Sequence, residues 1–521
     1  MNTALLTTRW QSLPERAIRQ LQAEKLREYL RKIVLPFSPY YRAMFAERGL
    51  SANSIRSLDE LRNIPFTTKA DLLNTTAHPQ RAKEFLIAPD QRQLAKRPGT
   101  IVRALLHGPS RVRQELEREF RPIFLTSTTG RSADPIPFLF TRHDLDNLAV
   151  TGRRTFEVCG AQREMRLLNM FPYAPHLAFW QTHYGGEAFG VFVASTGGGK
   201  VVGTEGQLRF MRKIQPDVLI GMPTFVYHVL HHALEEHVRC ASLRRIVLGG
   251  EKVPDGMRRK LISLARELAA PEVDVVGTYG FTEAKMAFAE CPHGADEPST
   301  GYHLYPDLGI FEVVDPNSGE PVPPETPGEL VFTPLEARGT VVLRYRTGDV
   351  IDGGLTYVSC PKCGRCVPRL VGNISRTTEV RAMHLDKIKG TLVDFNELEH
   401  ILDDCTDVGA WQIELRKRND DPLDVDELIL HVSKHNGISR AQLTHELNQR
   451  LVARAEIHPN RIVFHDSHRM RVLQGVGTEL KERKLVDHRP QANAEDITAA
   501  EPVLVTRASR QDVPASLEAT A

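Results

Sequence analysis

Apolar residues recur at helical spacing near the start of the chain. Between residues 14 and 48, Leu21, Leu26, Leu30 and Ile33 stand among charged positions, which predicts an amphipathic helical stretch. Residues 51–73 predict short helices broken around Pro65. Residues 88–121 are basic and poor in strand formers, and 111–120 read as an exposed helix with a solvated charged face. From about Phe124 the texture changes to short β-branched runs separated by helical stretches. Residues 218–220 follow Pro216-Asp217, residues 246–248 precede Gly249-Gly250, and residues 273–276 precede Gly277. Such runs predict buried parallel strands in a layered α/β domain. From 310 to 357 the pattern becomes strand-turn-strand, with Asn317-Ser318-Gly319 between runs at 310–314 and 329–333, and this predicts a smaller antiparallel β unit.

A second unit is expected from Arg376 onward. It holds a strand-like region at Ile388, a helix at 397–402 opened by an Asn396/Glu399 capping box, and a βαβ-like alternation through Val463. Residues 491–521 are rich in Ala, Glu, Thr and Ser with few large apolar side chains, and read as a disordered tail. The expected class is therefore α/β. A large N-terminal domain of layered mixed sheets with helices and a β subdomain (1–375) precedes a small α+β C-terminal domain (376–490) and the tail. A chain of 521 residues exceeds one ordinary core, which agrees with this division.

Composition narrows the function classes. With 67 basic and 65 acidic side chains the formal charge is +2, so nothing favours nucleic acid or a membrane surface, and a small-molecule substrate fits better. No apolar run approaches the ~20 residues needed to span a bilayer. Arg9 and Trp10 interrupt any signal-like core, and the cytoplasm is the expected compartment. Seven cysteines in so long a chain do not make a disulfide scaffold, whereas Cys360-x-x-Cys363-x-x-Cys366 has metal-binding spacing.

Three short elements could carry chemistry. Thr126-Ser127-Thr128-Thr129-Gly130 follows an apolar run and can offer hydroxyls and backbone N–H groups to phosphate, or be a plain turn. Tyr279-Gly280-Phe281-Thr282-Glu283 follows the 273–276 strand, where ligands of open α/β sheets bind. There an aromatic can face a base, a hydroxyl can bond phosphate and a carboxylate can hold Mg²⁺; an ordinary strand exit would look the same. Tyr345-Arg346-Thr347-Gly348-Asp349 ends in a carboxylate able to accept two ribose hydroxyls, or is a hairpin turn.

In this order the three resemble the adenylate-forming superfamily of acyl-CoA synthetases and adenylation domains. Further stretches resemble its phenylacetate–CoA ligase branch: Ser38-Pro39-Tyr40-Tyr41-Arg42, Ile64-Pro65-Phe66-Thr67-Thr68-Lys69, His183-Tyr184-Gly185, Gly249-Gly250-Glu251, Cys363-Gly364-Arg365 and Pro368-Arg369. The resemblance implies activation of a carboxylic acid with ATP and Mg²⁺ as an acyl-adenylate, then transfer to coenzyme A. It implies that residues 126–130 hold the triphosphate, that Gly249, Gly250 and Glu251 pack along adenine, and that Tyr279 and Gly280 lie against the base. Thr282 would touch the α-phosphate, Glu283 would hold Mg²⁺, Asp349 the ribose, and Arg376 the ribose or phosphate. Lys481 would be the catalytic lysine, with Lys484 as its rival. Lys389-Gly390 would enter the site in the second step.

The chain also departs from the family. Ser127 stands where the phosphate loop has glycine, and Arg131 replaces its usual Lys-Pro. Thr377-Thr378-Glu379 replaces the acidic hinge. Relatives imply a structural zinc on Cys291, His303, Cys360 and Cys363, with Cys366 and His293 as alternatives. Residues 171–180, rich in aromatics, would wall an aryl-acid pocket, with Tyr173, Phe179 and His183 as substrate contacts and His176 as an alternative. Two other outcomes stay open. One is transfer to a hydroxyl, amine or carrier-protein thiol; the other is a nucleotide-binding homologue without catalysis. A homodimer is compatible with the resemblance.

Overall fold

The computed structural model describes residues 10–75, 78–128, 135–294, 297–376, 380–385, 388–418, 426–435, 437–455, 457–479 and 482–489. Helix α1 (Glu15–Tyr29) runs on through a π turn at Leu30–Val34, and α2 (Pro39–Glu47) starts from the Ser38 cap. The periodic residues Leu21, Leu26 and Leu30 are buried, as the pattern predicts. The segment 88–121 carries α3 (Pro98–His107) and α4 (Pro109–Phe120), whose charged face is solvated. Strands β1 (Pro122–Ser127) and β2 (Pro137–Thr141) pair antiparallel, and α5 (Arg142–Val158) follows from the Thr141 cap.

The α/β unit then alternates: β3 (Arg166–Asn169), α6 (Leu177–Phe189), β4 (Phe192–Ser195), α7 (Gly199–Ile214), β5 (Val218–Gly221), α8 (Pro223–Glu235), β6 (Arg245–Leu248), α9 (Asp255–Glu267), β7 (Asp274–Phe281). Strands β4-β3-β5-β6-β7 are parallel, and β5 is buried at every position. That is why β5 reads as an unbroken apolar run: helices cover both faces of a parallel sheet. The strand order turns back at β3, which has β4 on one side and β5 on the other. Ligands of open α/β sheets bind in the crevice outside such a turning point.

Beyond β7 the same sheet continues antiparallel through β8 (Met286–Ala289), β9 (Tyr302–His303), β14 (Arg369–Leu370) and β13 (Leu355–Thr356). A four-stranded antiparallel sheet holds β10 (Gly309–Val314), β11 (Gly328–Pro334), β12 (Tyr345–Ile351) and β15 (Ile374–Arg376). This is the smaller β unit expected from the strand-turn-strand pattern.

After it come the hairpin β16 (Val380–Leu385) and β17 (Ile388–Asp394), then α10 (Phe395–Asp404), β18 (Val408–Lys417), β19 (Asp426–Lys434), α11 (Arg440–Ala455), β20 (Arg461–Phe464), α12 (Ser467–Gln474) and β21 (Leu485–Asp487). Strands β20-β19-β18-β21 form one sheet under its own apolar cluster, from Phe395 to Ile457. The α/β class with a small α+β C-terminal part is thus observed. Helix α10 starts at Phe395, so Asn396 lies inside it, and the expected capping box at Asn396 does not describe its start. Glu399 instead forms ion pairs with Lys252 (3.1 Å) and Lys484 (3.1 Å), binding this part to α9's loop. Two further contacts tie the parts: His228 on α8 meets Gln474 at 2.9 Å, and Gly199 abuts Gly477. Residues 491–521 lie outside the described residues.

Candidate active site

The carboxyl ends of β3, β5, β6 and β7 converge on one cleft, and the β10–β15 sheet closes its side. After β6, Gly249 and Gly250 cross the cleft floor. A Cβ on Gly249 would stand 2.2 Å from the Thr278 hydroxyl, and Gly250 has φ +83, so neither position accepts a side chain without strain. Glu251 turns away from this floor: its carboxylate accepts from the backbone N–H (3.2 Å) and hydroxyl (2.9 Å) of Thr224 at the start of α8. Its carboxylate thus caps α8, because four unsatisfied N–H groups at a helix start attract a carboxylate.

Tyr279, Asp349 and Arg376 meet at the cleft's edge. Strands β12 and β15 pair Asp349 directly opposite Arg376, whose Nε lies 2.7 Å from the carboxylate. The Tyr279 hydroxyl donates to the other carboxylate oxygen at 2.6 Å. Burial beside the Asp349 carboxylate holds the Tyr279 phenol protonated well above its usual range. Asp349 is thus oriented from both sides, a carboxylate preset to accept further donors.

Thr282 and Glu283 sit on a 3₁₀ turn after β7. Lys285 ends that turn with φ 57, and its ammonium is pinned by Asp144 (3.0 Å) and the Leu139 carbonyl (2.8 Å). The Tyr345 hydroxyl donates to Glu283 at 2.7 Å. Burial lifts the Glu283 carboxyl above its ordinary range despite that bond. The Thr282 hydroxyl lies 3.5 Å from the Ser127 carbonyl, so the turn after β7 meets the end of β1 here.

Within the phosphate-loop element, Thr126, Ser127 and Thr128 are described, whereas Thr129, Gly130 and Arg131 lie outside the described residues. Ser127 belongs to β1, pairs with Pro137 and bonds the Pro175 carbonyl through its N–H at 2.6 Å. It is not among the described residues with positive φ, so serine stands there without backbone strain. The Thr128 hydroxyl accepts from the Ile136 N–H at 3.0 Å and closes the strand pair.

Leu480 and Lys481 lie outside the described residues, whereas Glu479 and Glu482 on either side lie within them. Glu479 and Glu482 line a small cavity with Met170, Pro172, Gly199 and Phe225 beside the ends of β3 and β5. Its rival Lys484 is held part-buried between Glu399 (3.1 Å) and Asp403 (3.3 Å), with the Trp411 ring 4.7 Å away. Those partners give Lys484 a structural task. The Lys389-Gly390 pair lies on β17, where the side chains are outside the described residues.

Beneath the cleft a mainly apolar cavity opens between α5, α6 and the sheet. Phe156, Leu167, Phe171, Val218 and Ile220 form its apolar walls, and Ala178, Gln181 and Thr182 reach it from α6. Helices α5 and α6 meet backbone to backbone where Gly152 touches Gly185. Tyr173, Phe179 and His183, expected to contact substrate, are not among the residues lining this cavity. Tyr173 is 63% exposed, Phe179 stacks with His183, and the three join Trp180 in an aromatic cluster outside the cavity lining. Helix rotation explains the difference: residues 178, 181, 182 and 185 share one face, and 179 and 183 another. The small and polar run Ala178, Gln181, Thr182, Gly185 at helical spacing was the available signal for the cavity face. His176 instead bonds the Ser127 carbonyl at 3.1 Å.

On the antiparallel flank of the large sheet, Cys291, His303, Cys360 and Cys363 bring their ligand atoms within 4.8 Å of one another. The Cys291 and Cys360 sulfurs are 3.7 Å apart, and a tetrahedron with Zn–S arms near 2.3 Å has edges of about 3.8 Å. His303 directs Nδ1 to the Ala289 carbonyl at 3.1 Å, which leaves Nε2 facing Cys363 at 3.2 Å. The four donors fit a zinc ion. The alternatives face elsewhere: Cys366 contacts Ser359, and His293 contacts the Cys291 carbonyl.

Comparison with known proteins agrees with this architecture. A family model described as AMP-binding enzyme matches residues 170–334. The chain is 28% identical over 429 residues to a phenylacetate-coenzyme A ligase of Thermus thermophilus, across 81% of this chain and 83% of that protein. It is 28% identical over 337 residues to the phenylacetate-coenzyme A ligase of Escherichia coli, across 64% of this chain and 66% of that protein. In fold it is similar to 2-hydroxyisobutyryl-CoA ligase solved in the postadenylation state with 2-HIB-AMP, with TM-score 0.71, 19% identity and 92% of each chain covered. The same ligase in the thioesterification state with 2-HIB-AMP and CoA gives TM-score 0.59 at 18% identity, again over 92% of each chain. No described helix is long and apolar enough to cross a membrane.

Proposed function

The chain belongs to the adenylate-forming superfamily, in its phenylacetate–CoA ligase-like branch, and on that premise we propose that it activates an aryl carboxylic acid with ATP and passes the acyl group to coenzyme A. The observation that carries this reading is the Asp349 carboxylate oriented by Tyr279 and Arg376, next to an apolar cavity that Thr278 and Gly280, the neighbours of Tyr279, line. Asp349 accepts the ribose hydroxyls, Tyr279 and the Gly249-Gly250 floor face adenine, and residues 126–130 with Thr282 receive the phosphates. Glu283 is the carboxylate that would hold Mg²⁺, which neutralises phosphate charge when bound. The acid's carboxylate oxygen attacks the α-phosphorus, the bond to pyrophosphate breaks, and the CoA thiol then displaces AMP. Lys481 is assigned to the charge that develops in the first step. Cys291, His303, Cys360 and Cys363 would hold a structural zinc. Reduced cysteines in that quartet suit the cytoplasm. The proposal keeps the division at residues 375 and 490.

Pyrophosphate exchange with a panel of aryl acids tests activation, and release of AMP on adding CoA tests the acceptor. Exchange without CoA-dependent turnover would point to a hydroxyl, amine or carrier-protein acceptor. ATP binding without exchange for any acid would favour a non-catalytic homologue.

Two variants sharpen the reading. Asp349→Ala removes the oriented acceptor and leaves Arg376 and Tyr279 without it. The ATP KM is expected to rise at least about tenfold, the scale of a lost charge-assisted hydrogen bond, while the KM for the acid changes little. Glu482 supplies the second test. Burial and the nearby Glu251 carboxylate raise its pKa well above the carboxylate range, opposed in part by Lys484. Its folded value exceeds its unfolded value. Its proton therefore supports the buried placement of Glu482 fully below the unfolded value, and that support is lost as pH rises through the folded one. Exchange should accordingly fall on the alkaline side, and Glu482→Gln, which cannot ionise, should flatten that fall. An identical alkaline limb in the variant's pH–rate profile would remove Glu482 as its cause.

A further inference from the structure

The cavity beneath the cleft holds a polar atom that no protein group satisfies. Gln181 is 4% exposed and faces the cavity from α6. Its Nε2 donates to the Ala287 carbonyl and to the Thr155 hydroxyl oxygen, both at 3.0 Å. A carbonyl oxygen can only accept, so the amide nitrogen must face Ala287 and the side chain has one sensible orientation. That orientation leaves Oε1 buried without a donor.

The neighbouring hydroxyls do not supply one. Thr155 donates to the Thr151 carbonyl at 2.9 Å, Thr182 to the Ala178 carbonyl at 3.0 Å, and Thr278 to the Leu248 carbonyl at 2.8 Å. Among the described side chains of the lining, Gln181 Oε1 is the buried acceptor left without a donor, and Arg245 Nε is a buried donor left without an acceptor. An unmet buried acceptor is destabilising, and a binding site retains one when its ligand completes it.

Position says which part of a ligand would meet it. Leu177 and Ala178 line the cavity from the first turn of α6, on the side of the phosphate element, where Ser127 bonds Pro175 and His176. Gln181 lies one helical turn farther in, about 5.4 Å, which is comparable to the reach across a benzene ring. Charge says what kind of donor fits. No acidic residue lines the cavity, and its Arg245 is already paired with Asp274 at 2.9 Å, so a cationic group would be left without a counter-charge.

We propose that the acid activated here carries a neutral hydrogen-bond donor on its ring, a hydroxyl or an amino group, and that Gln181 Oε1 is the residue atom that selects it. The proposal rests on the reading of the cleft as an acid-activating site.

The test uses matched aryl acids: benzoate and phenylacetate, each beside its ring-hydroxy, ring-amino and methoxy derivatives. In pyrophosphate exchange with the full-length protein, at least one hydroxy or amino acid should exceed both its parent and its methyl ether in kcat/KM by roughly ten- to a hundredfold, the scale at which an unpaired polar site rejects an analogue. Gln181→Met, of similar length but without the acceptor, should bring the ratio close to one. Calorimetric titration of the same acids, without ATP, reads the cavity apart from the chemistry. Equal or better performance of the parents in the wild-type protein would overturn the proposal, as would a preference that survives in Gln181→Met. Failure of every acid to bind would overturn it too. Donor-dependent binding without exchange would instead refute acid activation and leave the role of Gln181 standing. Exchange without donor preference would do the reverse.

Discussion

Lys481→Ala is expected to lower ATP–pyrophosphate exchange by roughly a hundred- to a thousandfold, the usual loss when a preplaced group stabilising transition-state charge is removed. Two anions approach each other as carboxylate meets α-phosphate, and a cation on the developing charge is what makes that approach affordable. Melting temperature should stay near that of the parent protein. Lys484→Ala should behave oppositely. Lys484 sits part-buried between Glu399 and the buried Asp403, so its loss strands Asp403 without its ammonium partner and leaves Glu399 to Lys252 alone. Breaking a buried pair from one side costs about 3 kcal/mol, and here it should appear in thermal unfolding, with any loss of exchange following stability. Exchange rates and melting curves on the two variants decide the assignment. Wild-type exchange in Lys481→Ala would sink it.

Purified protein is expected to carry about one equivalent of zinc, and Cys363→Ser to carry less than about half of one. The variant and the chelated parent protein should both melt at clearly lower temperature, since metal binding free energy at a closed site is folding free energy, on the order of several kcal/mol. The loss should spread to catalysis indirectly. Strands β8, β9, β14 and β13 are the flank that the four ligands staple together, and β8 is the return strand from the Thr282–Glu283 turn. Cys366→Ser is the control, because Cys366 contacts Ser359 and stands outside the quartet. Metal analysis that finds zinc unchanged in Cys363→Ser would reject the site.

Much of the architecture was legible because it is local. The helix at 15–29, the buried strand at 218–221 and the turn between β10 and β11 each follow from the period of apolar residues or from turn chemistry. The Cys291–His303–Cys360–Cys363 cluster was legible only in part. Cys-x-x-Cys spacing marks two ligands, but Cys291 and His303 lie about sixty to seventy positions away and meet them because β9 pairs with both β8 and β14. The position of Tyr173, Phe179 and His183 outside the cavity lining was hidden for the same kind of reason. Residues 171–180 are rich in aromatics, yet composition does not say which face of α6 turns inward. Gly152 against Gly185 sets that rotation and turns Ala178 and Gln181 to the cavity, with Phe179 and His183 outside its lining.

By itself, then, the amino-acid order determined the class of fold, the sequence of elements and the residue types able to handle a nucleotide: Tyr279, Thr282, Glu283 and Asp349 can be read where they stand. Tertiary structure decided what each faces. It set Asp349 opposite Arg376 across two strands, turned Glu251 to the start of α8, gave Lys484 to buried carboxylates and left Gln181 with an unmet acceptor. The physical reason is that periodicity along the chain reports only whether a side chain is buried. Its partner is chosen by strand register and helix rotation, which depend on residues far away in the sequence.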